Sequence, residues 1–383
     1  MNFSRIKVAV VGGGVIGVST AYQLARAGAD VILLTENTLT SGASGRSLSW
    51  LNSAGTWREP YHRLRMAGID RYRTLSAQQP DLRWLHFAGG LVWYAEDRGE
   101  ELRRRHDHEM AHGYDSHLIG PDRVGGCTPG INSAAIPDTG GIWNPGEGWV
   151  DLPCLVQFLI KDFVERGGKL VTKAGKCRIR SKAGAITGVA TKSGQLVGAD
   201  AVVLAAGAAV PAMVADLGIT IPDATPISLL VTSRPVHHPL RAVLNTPRVS
   251  LRPTPDGALA VDSDWANDYI RHTADGAYEV PQSIINSLLA EASLVLEGTP
   301  RLEAAWYGIG PKPVPGDGES VLGGVDDVGG LYVAFTHSGA TLGLIAGELL
   351  AYEITTGASH PMLGEFNVRR FRQGGAHGVS QRR

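Results

Sequence analysis

Three glycines near the start of the chain, Gly12, Gly14 and Gly17, follow the spacing G-x-G-x-x-G, which suits a bound diphosphate. Gly12 permits a tight turn, Gly14 lets phosphate oxygens reach the main chain, and Gly17 lets a following helix press on the preceding strand. At the start of that helix, the N–H groups at Val15 and Ile16 are backed by about half a positive charge, which favours an anion. Glu36 follows at the distance where an acid accepts hydrogen bonds from ribose hydroxyls, and its charge would repel a 2′-phosphate. The set predicts an adenine dinucleotide site, for FAD or NAD and not NADP. Beyond Glu36, the loop SGASGRSLSWLNSAG is rich in small and hydroxylated residues. Ser41, Ser44 and Ser47 are candidate hydrogen-bond donors to a phosphate or a flat ring, and Arg46 adds a charge there.

Other residues carry chemistry less directly. In RVSLRPTPDG, alternation puts Arg248, Ser250 and Arg252 on one strand face, which makes Arg252 a candidate cation for a ligand carboxylate. Such a carboxylate, desolvated and unpaired, would cost several kcal/mol. Trp50, Trp265, Trp306 and Tyr307 are candidate pocket walls. His106, His108 and His112 share a charged predicted helix and read as a solvated face, so no metal site is expected. Cys127, Cys154 and Cys177 are odd in number and far apart, which fits incidental thiols.

The chain has 383 residues, 36 basic and 37 acidic, for a net charge of −1. That balance gives no electrostatic case for nucleic acid or an anionic membrane and points to a small-molecule partner. The most apolar stretch, Ala201 to Val214, is short for a membrane span and contains Pro211. The first strand is expected within a few residues of Met1, leaving no room for a leader, so a cytoplasmic location is expected. The basic tail Arg369 to Arg383 reads as a solvated end.

These residues require particular elements to hold them. Ile6 to Val11 is β-branched and short, a buried strand, and Val18, Ala21 and Ala25 then fall on one helical face that ends at Gly28. Val31 to Leu34 is a second strand. Tyr61 to Leu75, Glu96 to His112 and Leu152 to Arg166 read as helices, the last entered at Asp151 and Pro153. The runs Lys169 to Thr172, Cys177 to Lys182, Ala185 to Thr191 and Gln195 to Val197 suggest one small β layer. It closes with the buried strand ADAVVLAAGA, where Ala206 and Gly207 leave space for something flat or extended.

The chain resembles the FAD-dependent amino-acid and amine oxidoreductases of the D-amino acid oxidase, glycine oxidase and sarcosine oxidase type. The matching pieces are VVGGGVIG with Glu36, SGASGRSLSW, GWVDLPCL, ADAVVLAAGA, PKPVPGDGESVLGG and GGLYVAFTHSGATLGLIAGELLA, in the family's order. The resemblance implies an α/β fold, with a Rossmann-like FAD-binding domain interleaved with an α+β substrate domain built on an antiparallel sheet. It places 1–83, 147–224 and 304–383 in the first and 84–146 and 225–303 in the second. It further implies that the turn from Thr336 to Leu342, including Gly339, Ala340, Thr341 and Leu342, lies at the flavin's pyrimidine end, with His337 a partner for charge on the reduced ring.

The implied chemistry is removal of hydride from a carbon bearing an amine, delivered to flavin N5, followed by hydrolysis of the imine. Family members often carry Arg before the PxPxDG stretch to clamp a carboxylate, and here Lys312 stands there, a point charge without the planar fork. No cysteine lies in SLSWLNS or around Trp306, so non-covalent FAD is expected. The strand ALAVDSDW lacks the lysine that promotes reaction with oxygen in the sarcosine oxidase branch, which favours a dehydrogenase with another electron acceptor over an oxidase. A flavoprotein acting on a 2-hydroxy acid, a non-catalytic FAD scaffold and a simple NAD-linked dehydrogenase are the competing readings.

Overall fold

A computed structural model describes residues 5–373. The chain separates into two compact units that alternate along the sequence: one holds the residues up to Gly45, Leu152–Pro226 and those from Pro311, the other Arg46–Asp151 and Ile227–Gly310.

The first unit is built on a six-stranded sheet. Its order is Val321–Gly324, Leu331–Phe335, Ala201–Leu204, Lys7–Val11, Asp30–Leu34 and Lys169–Val171. All neighbours are parallel except the first pair. Strand Lys7–Val11 is central and its last four residues are buried, as an apolar run in a parallel sheet must be. Helices Val15–Arg26 and Gly339–Thr356 each begin just past the carboxyl end of a strand. They pack closely: a side chain at Gly347 would collide with Ser19, whose Oγ donates to Leu344 O. Helix Leu152–Glu165 buries Leu155, Val156, Leu159 and Phe163 along one stripe.

Two local expectations change in this unit. Lys169–Val171 leaves the small β layer and extends the main sheet beside Asp30–Leu34, because Thr35 N donates to Val171 O and continues the ladder. The small layer keeps three antiparallel strands, Arg178–Lys182, Ala185–Ala190 and Leu196–Gly198. The basic tail begins as a docked segment and not a solvated end: Arg370 donates to Asp317 and to the carbonyls of Ser320, Phe366 and Glu319, and Arg372 pairs with Asp327. Residues 374–383 of that tail lie outside the described residues.

The second unit is built on an eight-stranded sheet in the order Ala304–Pro311, Ile227–Ser233, Leu259–Asp262, Ser250–Pro253, Val243–Asn245, Gly90–Val92, Gly141–Asn144 and His117–Ile119. Its pairings are largely antiparallel, with a parallel join between Val243–Asn245 and Gly90–Val92 where the two chain segments of the unit meet. Helix Gln282–Leu294 lays Ile285, Leu288, Leu289 and Ala292 into a core with Leu251, Leu259 and Val261. A short sheet joins Trp50–Leu51, Gly148–Val150 and Leu85–His86.

Residues 46–83 belong to this second unit, which corrects the expected boundary after residue 83. The reason is the inner face of helix Glu59–Gln78. Its His62 is hydrogen-bonded to Ser53 Oγ at 2.8 Å, and the loop before it is held by Tyr114 OH and Glu109, both of this unit.

Candidate active site

In the first unit, candidate residues converge at the carboxyl ends of the parallel strands, where open α/β sheets bind ligands. Gly12 has φ +130°, and a Cβ there would collide with Ala205 O. A Cβ on Gly17 would collide with Gly12 O, so the helix seats on the turn only without a side chain. Gly12 N donates to Leu34 O and Thr40 N to Gly13 O, which fixes the turn between two strands. Ser44 Oγ accepts from Val15 N at 3.0 Å and would stand 3.1 Å from a Cβ at Gly14. Ile16 is buried in the first helical turn.

The second helix start lies against the first, with Val15 Cγ1 4.0 Å from where a Cβ of Gly339 would stand. Neither helix has an acidic residue in its first turn, and neither N-cap side chain bonds back to the helix. Two positive helix ends therefore face the same end of the sheet, neither with an acidic residue in its own first turn. Thr336 Oγ1 holds the second start, accepting from Ser338 N at 3.0 Å and pairing with Ser320 Oγ at 2.6 Å. Ala340 is half-buried, Thr341 and Leu342 are buried, and His337 is exposed just ahead of the helix.

Glu36 is exposed just beyond strand Asp30–Leu34, with its carbonyl accepting from Gly175 N. Burial first, and the Glu36 charge second, push the nearby Cys177 thiol up. Ala206 and Gly207 follow strand Ala201–Leu204, and a Cβ on Gly207 would meet nothing within 4 Å. Lys312 is half-buried; its N–H donates to Pro226 O, and its ammonium has no hydrogen-bond or ion-pair partner among the described residues. The glycine turn, two adjoining helix starts, an exposed acid past the second strand and open space at Gly207 fit FAD.

The second unit treats its cations differently. Arg252 is 3% exposed, with Nε donating to Leu48 O, Nη1 to Pro253 O at 2.8 Å, Nη2 3.6 Å from Asp151 and the guanidinium over the Trp149 ring. These contacts tie strand Ser250–Pro253 to the loop after Arg46. Arg248 lies outside that strand, paired with Glu291 and stacked on Trp265. Arg46 lies across strand Ala304–Pro311 on the face of Gly308 and Gly310. A Cβ on Gly308 would fall 2.7 Å from Arg46 Cδ, and one on Gly310 2.7 Å from its Cζ. Burial lowers the Arg46 pKa. Ser47 Oγ accepts from Ser49 N. Trp306 and Tyr307 are exposed on the same strand.

Beside Trp50 lies a buried polar network. Glu147, fully buried, accepts from Trp50 Nε1 at 2.7 Å and from Tyr114 OH at 2.6 Å. Glu109 is 2% exposed and accepts from Gly55 N, Arg105 Nε, Ser116 Oγ and Asn144 Nδ2. Desolvation pushes the Glu147 carboxyl up to about 8, against the lowering hydrogen bond from Tyr114 and with the Glu109 charge adding to the rise. Burial also lowers the Arg105 pKa, but the Glu109 charge and Tyr94 outweigh it. Two buried carboxyls thus share one buried guanidinium, and at neutral pH Glu147 keeps its proton. The sequence signal for this cluster was thin, since Glu147, Tyr114 and Trp50 are far apart in the chain. No group of three or more potential metal ligands lies together among the described residues, and Cys127, Cys154 and Cys177 form no disulfide among them.

Comparisons with known proteins bear on what this arrangement is. A family model described as FAD dependent oxidoreductase matches residues 7–353. Dimethylglycine dehydrogenase of Rattus norvegicus is 29% identical over 154 residues, 38% of this chain and 17% of that protein, so the chain spans under a fifth of that relative. D-amino acid dehydrogenase of Methylobacterium sp. (strain 4-46) is 25% identical over 96% of this chain and the whole of that protein. Among solved structures, glycine oxidase from Bacillus cereus ATCC 14579 superposes with a TM-score of 0.79 at 22% identity, covering 94% of this chain and 97% of that one, a likeness of fold. No helix among the described residues is long and apolar enough to cross a membrane.

Proposed function

The chain belongs to the family of FAD-dependent oxidoreductases, and from that membership we propose that it oxidises the C–N bond of an amino acid or a related amine. The observation that carries the reading is the pair of adjoining helix starts, at Val15 and Gly339, at the carboxyl ends of strands in one sheet. The end-to-end likeness to a D-amino acid dehydrogenase supports an amine as the substrate. When bound, FAD supplies a hydride acceptor at flavin N5, and the imine left behind hydrolyses to an oxo acid and an amine.

The chain's residues divide the remaining work. Gly12, Gly14, Val15, Ile16, Gly17 and Ser44 hold the diphosphate against the first helix start, and Glu36 holds the ribose hydroxyls. Arg46, Ser47, Ala206 and Gly207 are further cofactor contacts. Gly339 to Leu342, with His337 ahead of them, present donors and a positive helix end to negative charge on the ring. Lys312 holds the substrate carboxylate as a point charge, so the anchor is less directional than an arginine fork. Arg252, engaged by Leu48, Pro253 and Asp151, acts by fixing the loop after Arg46. Non-covalent attachment of FAD, a cytoplasmic location and an acceptor other than oxygen belong to the same proposal.

The test is anaerobic reduction of the purified flavoprotein with separate pools of D-amino acids, L-amino acids, N-methyl amines and 2-hydroxy acids. Bleaching by an amine pool is the expected result, and slow return of colour on readmitting oxygen marks a dehydrogenase. Bleaching by the hydroxy acids alone would transfer the assignment to that reading.

A further inference from the structure

A second feature of the second unit is lined by none of the residues assigned above to cofactor or substrate. Helix Gly99–Ala111, the edge strand His117–Ile119 and the turn from Pro121 to Cys127 border an open cleft of about 510 Å³. That volume lies inside the range of roughly 300–1,000 Å³ usual for small-molecule sites. One wall is apolar: Trp143 is half-buried, and Met110 and Leu118 are 53% and 37% exposed. No carboxylate lines the cleft, whereas Arg123 and His106 do. The Arg123 guanidinium has no partner among the described residues.

His106 is held in a defined state by its neighbours. Ser116 Oγ has one hydrogen, which it donates to the carboxylate of Glu109 at 2.8 Å. His106 Nδ1, 2.9 Å from the same oxygen, must therefore be the donor. Ser116 is in turn fixed by the buried Glu109–Arg105 pair, so the imidazole is oriented from behind, as functional histidines usually are. His106 Nε2 has no partner among the described residues, and the ring lines the cleft.

We propose that this cleft is a binding site for a small carboxylate with an aromatic or branched apolar body, distinct from the oxidation site. The apolar body lies on Trp143, Met110 and Leu118, the carboxylate meets Arg123, and His106 Nε2, the acceptor nitrogen of this tautomer, is left for a hydrogen-bond donor on the ligand. The proposal does not depend on the reading of function above.

Cys127 is half-buried in the cleft and reports its occupancy, with Cys154 as an internal reference. The experiment follows alkylation of each thiol by iodoacetamide in the FAD-loaded protein, by peptide mass, with benzoate or the uncharged benzamide present. Benzoate is expected to slow alkylation of Cys127 saturably and leave Cys154 unchanged, while benzamide protects far more weakly. Arg123→Met should raise the half-protecting benzoate concentration about tenfold, the loss expected for one charge-assisted contact, with the flavin-to-protein absorbance ratio unaltered. Absence of protection at Cys127, equal protection by benzamide, or undiminished protection in Arg123→Met would each overturn the proposal.

Discussion

The sheet end of the first unit and the interior of the second solve opposite problems. The first arranges main-chain groups: glycines without side chains, two helix starts without acids, and one hydroxyl, Ser44, on a helix N–H. The second buries ionisable side chains and satisfies them in pairs, as with Glu147 between Trp50 and Tyr114, Glu109 with Arg105, and Arg252 among two carbonyls and Asp151. A main-chain site depends on what is absent at fixed spacings, so it tolerates almost no added atoms. A side-chain network depends on partners brought together from distant segments, and it tolerates isosteric change while responding to pH.

Substitutions should expose that contrast, most strongly in the glycine turn. Gly17→Ala and Gly12→Ala each place a Cβ into backbone with no room to yield, and Gly12 also sits at positive φ. Each should cost about 3 kcal/mol or more and abolish FAD retention, measured by the flavin-to-protein absorbance ratio after gel filtration. Retention of FAD at wild-type affinity by either variant would remove the turn from the site.

Next in size is Lys312→Met. Loss of one charge-assisted contact of about 1.5–3 kcal/mol corresponds to a KM raised roughly ten- to a hundredfold for a carboxylate-bearing amine. The kcat should change less, and an amine lacking the carboxylate should be hardly affected. Equal losses on both substrates would mean that Lys312 does not meet the carboxylate.

Glu147 gives the contrasting behaviour in the second unit. Its folded-state pKa of about 8 lies above the ordinary value of 4.5, so between those values the folded protein holds a proton that the unfolded chain has lost. Stability should therefore fall as pH rises through this window, by up to about 1.4 kcal/mol per unit, and level off above it. Glu147→Gln keeps one acceptor oxygen for Trp50 Nε1, turns an amide donor toward the Tyr114 oxygen, and should flatten that slope in urea unfolding run from pH 5 to 8. A slope unchanged in the variant would place the titration elsewhere.

The smallest effect is expected from Ser44→Ala, which removes one acceptor from Val15 N. A loss of about 1 kcal/mol is expected, as for other helix-start hydroxyls, read as a severalfold weaker FAD Kd.

The same contrast explains what the residues alone made legible. Gly12, Gly14, Gly17 and the helix after them stand within one short segment, and their roles follow from local backbone geometry. The interleaved fold became legible through the family's ordered motifs, which include the second helix start after Thr336. The limit of the first segment was misplaced because Tyr61 to Leu75 has the same helical periodicity whichever unit its inner face joins. Strand Lys169–Val171 was misassigned for a similar reason, since a short alternating run does not name its partner. Arg252 illustrates the harder case: alternation grouped it with Arg248 and Ser250, but Arg248 lies outside the strand, and the Arg252 partners Leu48 and Asp151 are distant in the chain. Gly308 and Gly310 carried no visible signal until Arg46 was seen lying across them.

The central claim, that the glycine turn and paired helix starts hold FAD, is tested most directly by the visible absorption spectrum of the purified protein before and after acid precipitation. Flavin bands that pass into the supernatant and prove to be FAD are the predicted result. A colourless protein that takes up no added FAD would contradict the account at its first glycine.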